Sequence, residues 1–302
     1  MTTLWWCQPL SCLGKNMVTS PTVTTNRRVD IEVAKGSAAT SRRSMIRNVL
    51  VALYQRYLEK QVLKGRMPGH VGIILDGNRR HARALNITDP DAIYNLGADK
   101  LKDVLEWCAD LGIKTVTLWV LSTDNLNRSP EEMSSILAAI ERRMRQVAEE
   151  PEIHRRKVKV RASGRLDVLP TSVADAIAEA TRATQNYDAM CINIAVAYGG
   201  REEIIDAMRK LLVEKDRQGK SLTTVAHELT PADIARHLYS ADLPEPDLII
   251  RTSGEVRLSG FLLWQSVYSE FYFSDVYWPA FRKIDFLRAI RSFQQRTRRF
   301  GK

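Results

Sequence analysis

The eleven-residue stretch HVGIILDGNRR, residues 70–80, decides the fold class. Its first six residues form a short apolar run, and Asp76-Gly77-Asn78 follows with the composition of a turn. Similar apolar runs recur at 115–121, 158–162, 191–197 and 248–250, and stretches with helical periodicity separate them. Strands that alternate with helices predict an α/β fold with a mostly parallel sheet that is covered on both faces.

Four polar segments directly follow predicted strands. They are DGNRR (76–80), STDN (122–125), YGGR (198–201) and RTSGE (251–255). Ligands of open α/β sheets bind outside the carboxyl ends of the strands. We therefore expect these four segments to converge on one site.

The residue types in two of these segments indicate anion binding. Gly77 allows close backbone approach, Arg80 is a bidentate donor for phosphate, and Asp76 offers the kind of oxygen ligand that Mg²⁺ takes together with substrate phosphates. Taken alone, the tripeptide Asp76-Gly77-Asn78 is equally typical of an ordinary turn. The segment RTSGEVRLS (251–259) combines two arginines with hydroxyls and suits a second diphosphate, the alternative being a solvated loop.

Charge and hydropathy limit the partners and the compartment. The 302-residue chain carries 45 Lys and Arg against 35 Asp and Glu, a net charge of +10, which favours anionic partners. The aromatic residues form no RNA-stacking motif, so no nucleic-acid partner is expected. No run approaches the ~18 apolar residues of a membrane span, and the first residues lack the pattern of a secretory signal. We therefore expect a cytoplasmic protein.

The chain is predicted to have an extension and one folded domain. Residues 1–42 are rich in Thr, Ser and Arg, lack periodicity, and are interpreted as a flexible N-terminal extension; residues 43–302 form the domain. An amphipathic helix is predicted over 45–64. It either packs on its own domain or, through its basic residues, contacts a membrane surface peripherally.

Other site templates do not fit. The sequence GKS at 219–221 resembles the end of a P-loop, but Glu214 stands where its first glycine belongs. No dinucleotide fingerprint opens the first βα unit, no nucleophile elbow is present, and neither the histidines nor the four cysteines have the spacing of a metal site.

Over residues 70–301 the sequence resembles the cis-prenyltransferase family, which includes undecaprenyl diphosphate synthase. The motifs that carry the resemblance occur in family order: HVGIILDGNRRHAR, LWVLSTDNLNRSPEE, NIAVAYGGREEI, DLIIRTSGEVRLSGFLLWQSVYSEFYFSDVYWP and a final RRFGK. The resemblance implies a single domain with a six-stranded, mostly parallel sheet and about seven helices, and a homodimer. It implies an Mg²⁺-dependent enzyme that condenses isopentenyl diphosphate with an allylic diphosphate to form a Z double bond.

The resemblance also implies site roles. Asp76 and Glu270 match metal-binding positions, and Asp76, Asn78 and Asn125 match catalytic ones. Positions that match substrate-binding residues are Gly77, Arg79, Arg80, Arg128, Arg251, Arg257, Ser259, Arg299 and Gly301.

Several positions depart from the pattern of long-chain members. Arg79 stands where these usually carry Gly, and His81 and Leu126 each replace a Trp. Pro90 and Tyr94 fall roughly where an Arg and a His contact diphosphate. These departures indicate an allylic phosphate site that is modified but not lost. The alternative is that Arg79 compensates for the lost Arg and His, in which case product length is set elsewhere.

Val120 occupies a position that is often Ala on the wall of the family's elongation tunnel. Because a packed wall yields little to added volume, Val120 is expected to limit chain length. Together with the segments SGFLLWQS (259–266) and NLNR (125–128), these features most resemble the short-chain Z-farnesyl diphosphate synthase branch of the family. We therefore expect a short product, such as (2Z,6E)-farnesyl diphosphate from geranyl diphosphate. The alternatives are a long-chain polyprenyl diphosphate synthase and a non-catalytic partner subunit of such a synthase.

Overall fold

A computed structural model of the chain describes residues 48–296. The chain divides into two units between Ala52 and Leu53, and the structure describes residues 48–52 of the first as helical. The predicted flexible extension, residues 1–42, lies outside the described residues, so its boundary with the domain at residue 43 stays a prediction.

Six strands form one sheet in the order β3-β4-β2-β1-β5-β6, and all neighbouring strands are parallel. The strands are β1 (His70–Ile74), β2 (Thr115–Trp119), β3 (Val158–Ser163), β4 (Met190–Ala195), β5 (Leu248–Arg251) and β6 (Glu270–Phe273). This confirms the predicted α/β fold and its six strands, and makes the sheet entirely rather than mostly parallel. Residues of β1 and β5 are buried throughout, as expected for a sheet covered on both faces.

Ten α-helices occur within residues 48–296, against the seven or so that were expected, because four are short segments of five to seven residues. They are α1 (48–62), α2 (Asn78–Ala84), α3 (Pro90–Asp110), α4 (Pro130–Glu149), α5 (Pro151–Arg155), α6 (Thr171–Thr184), α7 (Gly200–Arg217), α8 (Leu222–Glu228), α9 (Pro231–Ala235) and α10 (Lys283–Gln295). No helix among the described residues is long and apolar enough to cross a bilayer.

The strand order places a topological switch at β1 and β5. The chain runs from β1 to the β2 side of the sheet and later returns to β5, on the opposite side of β1. Loops leaving two such strands separate and open a crevice at their carboxyl ends. Ile74 at the end of β1 pairs in register with Arg251 at the end of β5, so the two predicted anion-binding segments leave the sheet side by side.

The helices α3 and α4 start with well-formed caps and lie next to each other. Asp89 caps α3 by accepting from the backbone N–H groups of Asp91 and Ala92, and Ser129 caps α4 by accepting from Glu132. Proline at the first helical position of each helix fixes the start further. Pro90 is therefore a helix-start residue in this fold.

Candidate active site

Asp76 is the centre of a charged cluster at the switch between β1 and β5. Its two carboxylate oxygens accept separate hydrogen bonds, Oδ1 from Arg80 at 3.0 Å and Oδ2 from Arg251 at 2.8 Å. The Thr252 hydroxyl donates to the Asp76 carbonyl at 2.7 Å and accepts from the Asp76 backbone N–H at 3.0 Å. The side chain of Asp76 is thus hydrogen-bonded to the last residue of β5, and its backbone is hydrogen-bonded to the first residue of the loop that follows.

The environment of Asp76 keeps its carboxylate ionised. Burial alone would raise its pKa, but hydrogen bonds from Arg251, Ser253 and Arg80, with the charge of Arg251, lower the pKa below its usual value. Asp76 therefore carries a full negative charge at neutral pH.

Arg251 is almost fully buried, with 6% of its side chain exposed, and spans the crevice. Besides Asp76, it donates to the Ser259 hydroxyl at 2.8 Å and to the Arg257 carbonyl at 2.5 Å. Its Nε is buried and has no hydrogen-bond partner. A buried guanidinium N–H without an acceptor is costly, so this atom marks a place where an anionic ligand would be favoured.

The loop that follows β5 holds backbone conformations that non-glycine residues rarely adopt. Ser253 and Ser259 have φ values of 81° and 53°. Arg80 donates to the Ser253 hydroxyl at 2.7 Å, which fixes this turn against α2. Strain of this kind is retained where surrounding contacts over-determine the backbone and is frequent at functional sites.

Glu255 bridges two of the predicted substrate-binding arginines. One carboxylate oxygen accepts from Arg80 at 3.2 Å and the other from Arg257 at 2.5 Å. The side chain of Arg257 is largely exposed, while only its backbone carbonyl contacts Arg251. Both arginines thus have a carboxylate as partner at the rim of the crevice.

A second cluster gathers around Glu132 on α4. Arg128 donates to Glu132 at 2.9 Å and to the Tyr94 hydroxyl at 3.1 Å, the Tyr94 hydroxyl donates to Glu132, and Arg79 lies 3.5 Å from the same carboxylate. Burial and the hydrogen bond to Glu132 raise the pKa of Tyr94 to about 12. Two positions that depart from the long-chain pattern, Arg79 and Tyr94, therefore meet at one carboxylate.

An apolar cavity of about 340 Å³ opens next to Asp76 and lies between the sheet and helices α3 and α4. Its walls include Leu75, Leu101, Trp119, Val120 and Ile140, and polar groups line its mouth. The predicted site residues that line it are Asp76, Asn78, Val120, Asn125, Arg128, Arg251 and Ser259. A polar rim over an apolar pocket suits a ligand with an anionic head and a hydrocarbon tail.

Asn78 packs tightly under α3. Its amide NH₂ donates to the Leu75 carbonyl at 3.0 Å, and its Oδ1 is buried without a hydrogen-bond partner. A Cβ at Gly97 would collide with this oxygen, so the absence of a side chain at Gly97 is what lets α3 approach Asn78. The Trp278 indole N–H donates to the Gly97 carbonyl at 2.8 Å and holds that turn of α3 in place.

A second apolar cavity of about 160 Å³ lies beyond the first, between the sheet, α3 and α4. Leu105, Leu118, Val147, Val160 and Ile192 are among its walls. The two cavities share five lining residues, so they adjoin.

Most of the sequence-predicted site residues come together, and one does not. Arg79, Arg80 and Arg257 reach the site through the carboxylates of Glu132, Asp76 and Glu255, and Gly77 turns the chain there with φ at 105°. Glu270 starts β6 and pairs with Leu248, so it lies at the amino end of the strands, opposite Asp76, with Arg296 as its partner. Arg299 and Gly301 lie outside the described residues.

The sequence places Thr252 and Glu255 in a predicted site segment without giving either a role, and it does not place Glu132 at the site. Glu132 looks like a helix-start residue after Ser129-Pro130, and Thr252 and Glu255 are ordinary loop residues by pattern. Only the register of β1 against β5 and the packing of α3 against α4 bring these side chains to the arginines. Within residues 48–296, no group of three or more His, Cys, Asp or Glu side chains forms a metal site by itself.

Comparison with known proteins supplies the context for this geometry. A family model described as "Putative undecaprenyl diphosphate synthase" matches residues 74–301, which include both predicted anion-binding segments and the cavity walls. The chain belongs to the cis-prenyltransferase family. Membership makes the chain a prenyltransferase, as the motifs predicted.

Three similar proteins agree with this assignment. The prenyltransferase is 55% identical over 250 residues to an isoprenyl transferase of Thermus thermophilus, covering 83% of this chain and 95% of that protein. It is 49% identical over 257 residues to a (2Z,6E)-farnesyl diphosphate synthase of Thermobifida fusca, covering 85% and 99%. A crystal structure of lavandulyl diphosphate synthase from Lavandula x intermedia, in complex with dimethylallyl diphosphate, superposes with a TM-score of 0.73 at 34% identity, covering 78% of this chain and 99% of that one.

Proposed function

We propose that this prenyltransferase condenses isopentenyl diphosphate with geranyl diphosphate and releases diphosphate and a short-chain product, (2Z,6E)-farnesyl diphosphate. The observation that carries the proposal is the pairing of the Asp76 and Arg251 cluster with an adjoining apolar cavity of about 340 Å³ whose wall includes Val120. The similarity to a (2Z,6E)-farnesyl diphosphate synthase supports the same product.

The allylic diphosphate is proposed to bind on the segment from Asp76 to Arg80. Gly77 and Asn78 bring backbone and amide groups close to the ligand, and Arg80, now held by Asp76 and Ser253, donates to its oxygens. Its hydrocarbon tail lies in the apolar cavity. In this arrangement Arg79 and Arg128, which both contact Glu132, take over part of the positive charge of the Arg and His that other family members carry.

Isopentenyl diphosphate is proposed to bind at Arg251, Arg257 and Ser259. The Nε of Arg251 is a buried donor in need of an acceptor. The exposed side chain of Arg257 donates to Glu255. Isopentenyl diphosphate would replace Glu255 as the partner of Arg257. The allylic diphosphate would replace Glu255 as the partner of Arg80.

Mg²⁺ fits this site through Asp76. Its carboxylate is ionised, half-buried and directed to the crevice, and Mg²⁺ is commonly held by one or two carboxylates together with substrate phosphates. When bound, the ion would stabilise the negative charge that develops on the departing diphosphate. Within one chain Glu270 does not share the site with Asp76, so its proposed metal role needs a second copy of the chain.

The chain's own residues are proposed to act by positioning and charge stabilisation. Arg80 and Arg251 are already oriented by Asp76, so they meet the leaving diphosphate with little reorganisation. Asn125, whose Oδ1 accepts from the Ser122 N–H at 3.3 Å, lines the same cavity as Arg128. Holding both substrates against one another makes the condensation effectively intramolecular, and the apolar walls keep water from the allylic cation.

A homodimer is proposed from the edge of the sheet. β6 is an edge strand, and Val267 and Tyr268, just before it, are exposed apolar residues. Sedimentation should give twice the monomer mass, and a monomer at assay concentrations would contradict the proposal. The cytoplasmic location and peripheral membrane contact stay predictions.

A long-chain polyprenyl diphosphate synthase is the second candidate function. The second apolar cavity beyond the first favours it, because it offers space for further isoprene units. The third reading, a non-catalytic partner subunit, is disfavoured because Asp76, Asn78, Arg251 and Ser259 are all present at the crevice.

The test is incorporation of radiolabelled isopentenyl diphosphate with Mg²⁺, using dimethylallyl, geranyl or E,E-farnesyl diphosphate as primer. Resolved by chain length, the products from geranyl diphosphate should be C15. A series of products that extends to much longer chains would contradict the C15 assignment and support a long-chain polyprenyl diphosphate synthase. No incorporation with any primer by folded protein would favour the partner-subunit function.

A further inference from the structure

The two apolar cavities meet at a neck that contains one charged residue. Five residues line both cavities: Ala98 and Leu101 on α3, Arg143 and Met144 on α4, and Ile194 on β4. A hydrocarbon chain that grows out of the first cavity into the second must pass between them. Arg143 is the only ionisable member of this set.

Arg143 is anchored from the far side of the neck. Its guanidinium donates through Nη2 to Asp99 on α3 and through Nη1 to Gln146 on α4 at 3.0 Å. The ion pair therefore links the two helices that enclose the hydrocarbon space. Its outer end is accessible to water, since 32% of the Arg143 side chain and 70% of the Asp99 side chain are exposed.

The inner part of Arg143 faces a different environment. Its Nε is buried and has no hydrogen-bond partner. Long cationic side chains commonly bury the aliphatic stem and keep the charged head in water. Here the buried part of Arg143, including the unpaired Nε–H of its guanidinium, lines the neck between the two cavities.

Opening the neck would carry two costs. Moving the stem aside requires the guanidinium to leave Asp99, and pushing a prenyl chain against it would desolvate a cation that already has one unpaired N–H. A hydrocarbon chain offers no acceptor to offset either cost. The neck should therefore resist a growing chain more strongly than the apolar walls on either side.

We propose that Arg143, anchored by Asp99, closes the neck and confines the product to the first cavity, which makes it a specificity-determining residue for chain length. The inference rests on the proposed prenyl transfer at this site and adds a second barrier beyond Val120. Asp99 is a positioning residue that acts through Arg143. The anchored arginine then prevents the growing product from entering the second cavity.

The test compares Arg143→Ala and Arg143→Met with the control Arg142→Ala. Arg142 is the neighbouring residue on α4, is exposed, and also bridges to α3 by donating to Asn95 at 2.8 Å, but it lines neither cavity. With geranyl diphosphate as primer, both Arg143 variants should raise the fraction of products longer than C15 by tenfold or more. Arg142→Ala should leave the distribution unchanged.

A binding measurement tests the neck without turnover. By calorimetry, Arg143→Ala should bind geranylgeranyl diphosphate about tenfold more tightly than wild type, while its affinity for geranyl diphosphate stays the same. Equal affinity for the C20 ligand in wild type and Arg143→Ala would overturn the inference, even in a protein without activity. Longer products from Arg143→Ala but not from Arg143→Met would refute the anchored charge as the cause.

The outcomes separate this inference from the proposed function. A wild-type C15 product with unchanged products from both Arg143 variants overturns the role of Arg143 alone. A long wild-type ladder overturns both the C15 product and the closed neck. Absence of incorporation by folded wild type overturns the proposed function, and the C20 binding comparison then still decides the role of Arg143.

Discussion

Replacing Arg251 with lysine tests whether a guanidinium at the end of β5 organises the diphosphate site. Arg251 holds Asp76 with one Nη and Ser259 and the Arg257 carbonyl with the other, and its Nε is free for a ligand. A lysine ammonium is a single point donor and cannot span these positions. Loss of one hydrogen bond to a charged group costs about 1.5–3 kcal/mol. Arg251→Lys should therefore lower kcat/KM by roughly 10- to 150-fold.

The assay is steady-state incorporation of isopentenyl diphosphate at saturating primer, with kcat and KM determined separately. The control is Arg209→Lys, since Arg209 is 75% exposed and pairs with Asp206 away from the crevice. A circular dichroism melting curve checks that Arg251→Lys is folded. Values of kcat/KM within threefold of wild type in a folded variant would refute the reasoning that the fork of Arg251 is needed.

Two further predictions follow from the cavity wall and from a buried carboxyl. Val120→Ala should shift products from geranyl diphosphate beyond C15, because it removes two methyl groups from the wall of the first cavity; an unchanged distribution in the product-length assay would remove Val120 as a limit. Burial raises the pKa of Glu203 despite hydrogen bonds from Tyr198 and Gln265, so the native state holds this proton above the usual pKa of 4.5, and stability falls as pH rises through the window above that value. Relative to Glu203→Gln, wild type should thus lose stability in urea unfolding as the pH rises above 4.5; a stability difference that does not change with pH would contradict the raised pKa.

Much of the fold can be predicted from the sequence because the central strands of the sheet are buried on both faces. Continuous apolar runs such as 70–75 and 248–250 mark strands without ambiguity when helical stretches separate them. β6 gives no such signal. All four of its residues, Glu-Phe-Tyr-Phe, are half-buried at the sheet edge, and its aromatic residues continue an apolar stretch that begins near Leu262. Its identity as a strand depends on pairing with β5, which is a tertiary contact.

The candidate site is predictable where chemistry lies in loops after strands. Asp76, Arg251 and Ser259 lie together because the parallel strands β1 and β5 have their carboxyl ends on the same side of the sheet. Glu270 is assigned to the site through the resemblance alone, and as the first residue of β6 it lies at the opposite, amino end of the strands. Arg143 shows a limit of sequence reasoning: on a helix with many arginines it looks like a solvated charge, and only the packing of α4 on α3 turns it toward the hydrocarbon space.

Asp76→Ala tests the central claim, that the carboxylate at the switch between β1 and β5 serves the departure of the allylic diphosphate. Turnover is measured by incorporation of isopentenyl diphosphate with geranyl diphosphate and Mg²⁺, and isopentenyl diphosphate binding is measured in parallel by calorimetry. The control is Asp175→Ala, an exposed aspartate on α6. The account predicts a loss of turnover on the order of a hundredfold or more, with a much smaller change in isopentenyl diphosphate affinity. Full activity in folded Asp76→Ala would contradict it.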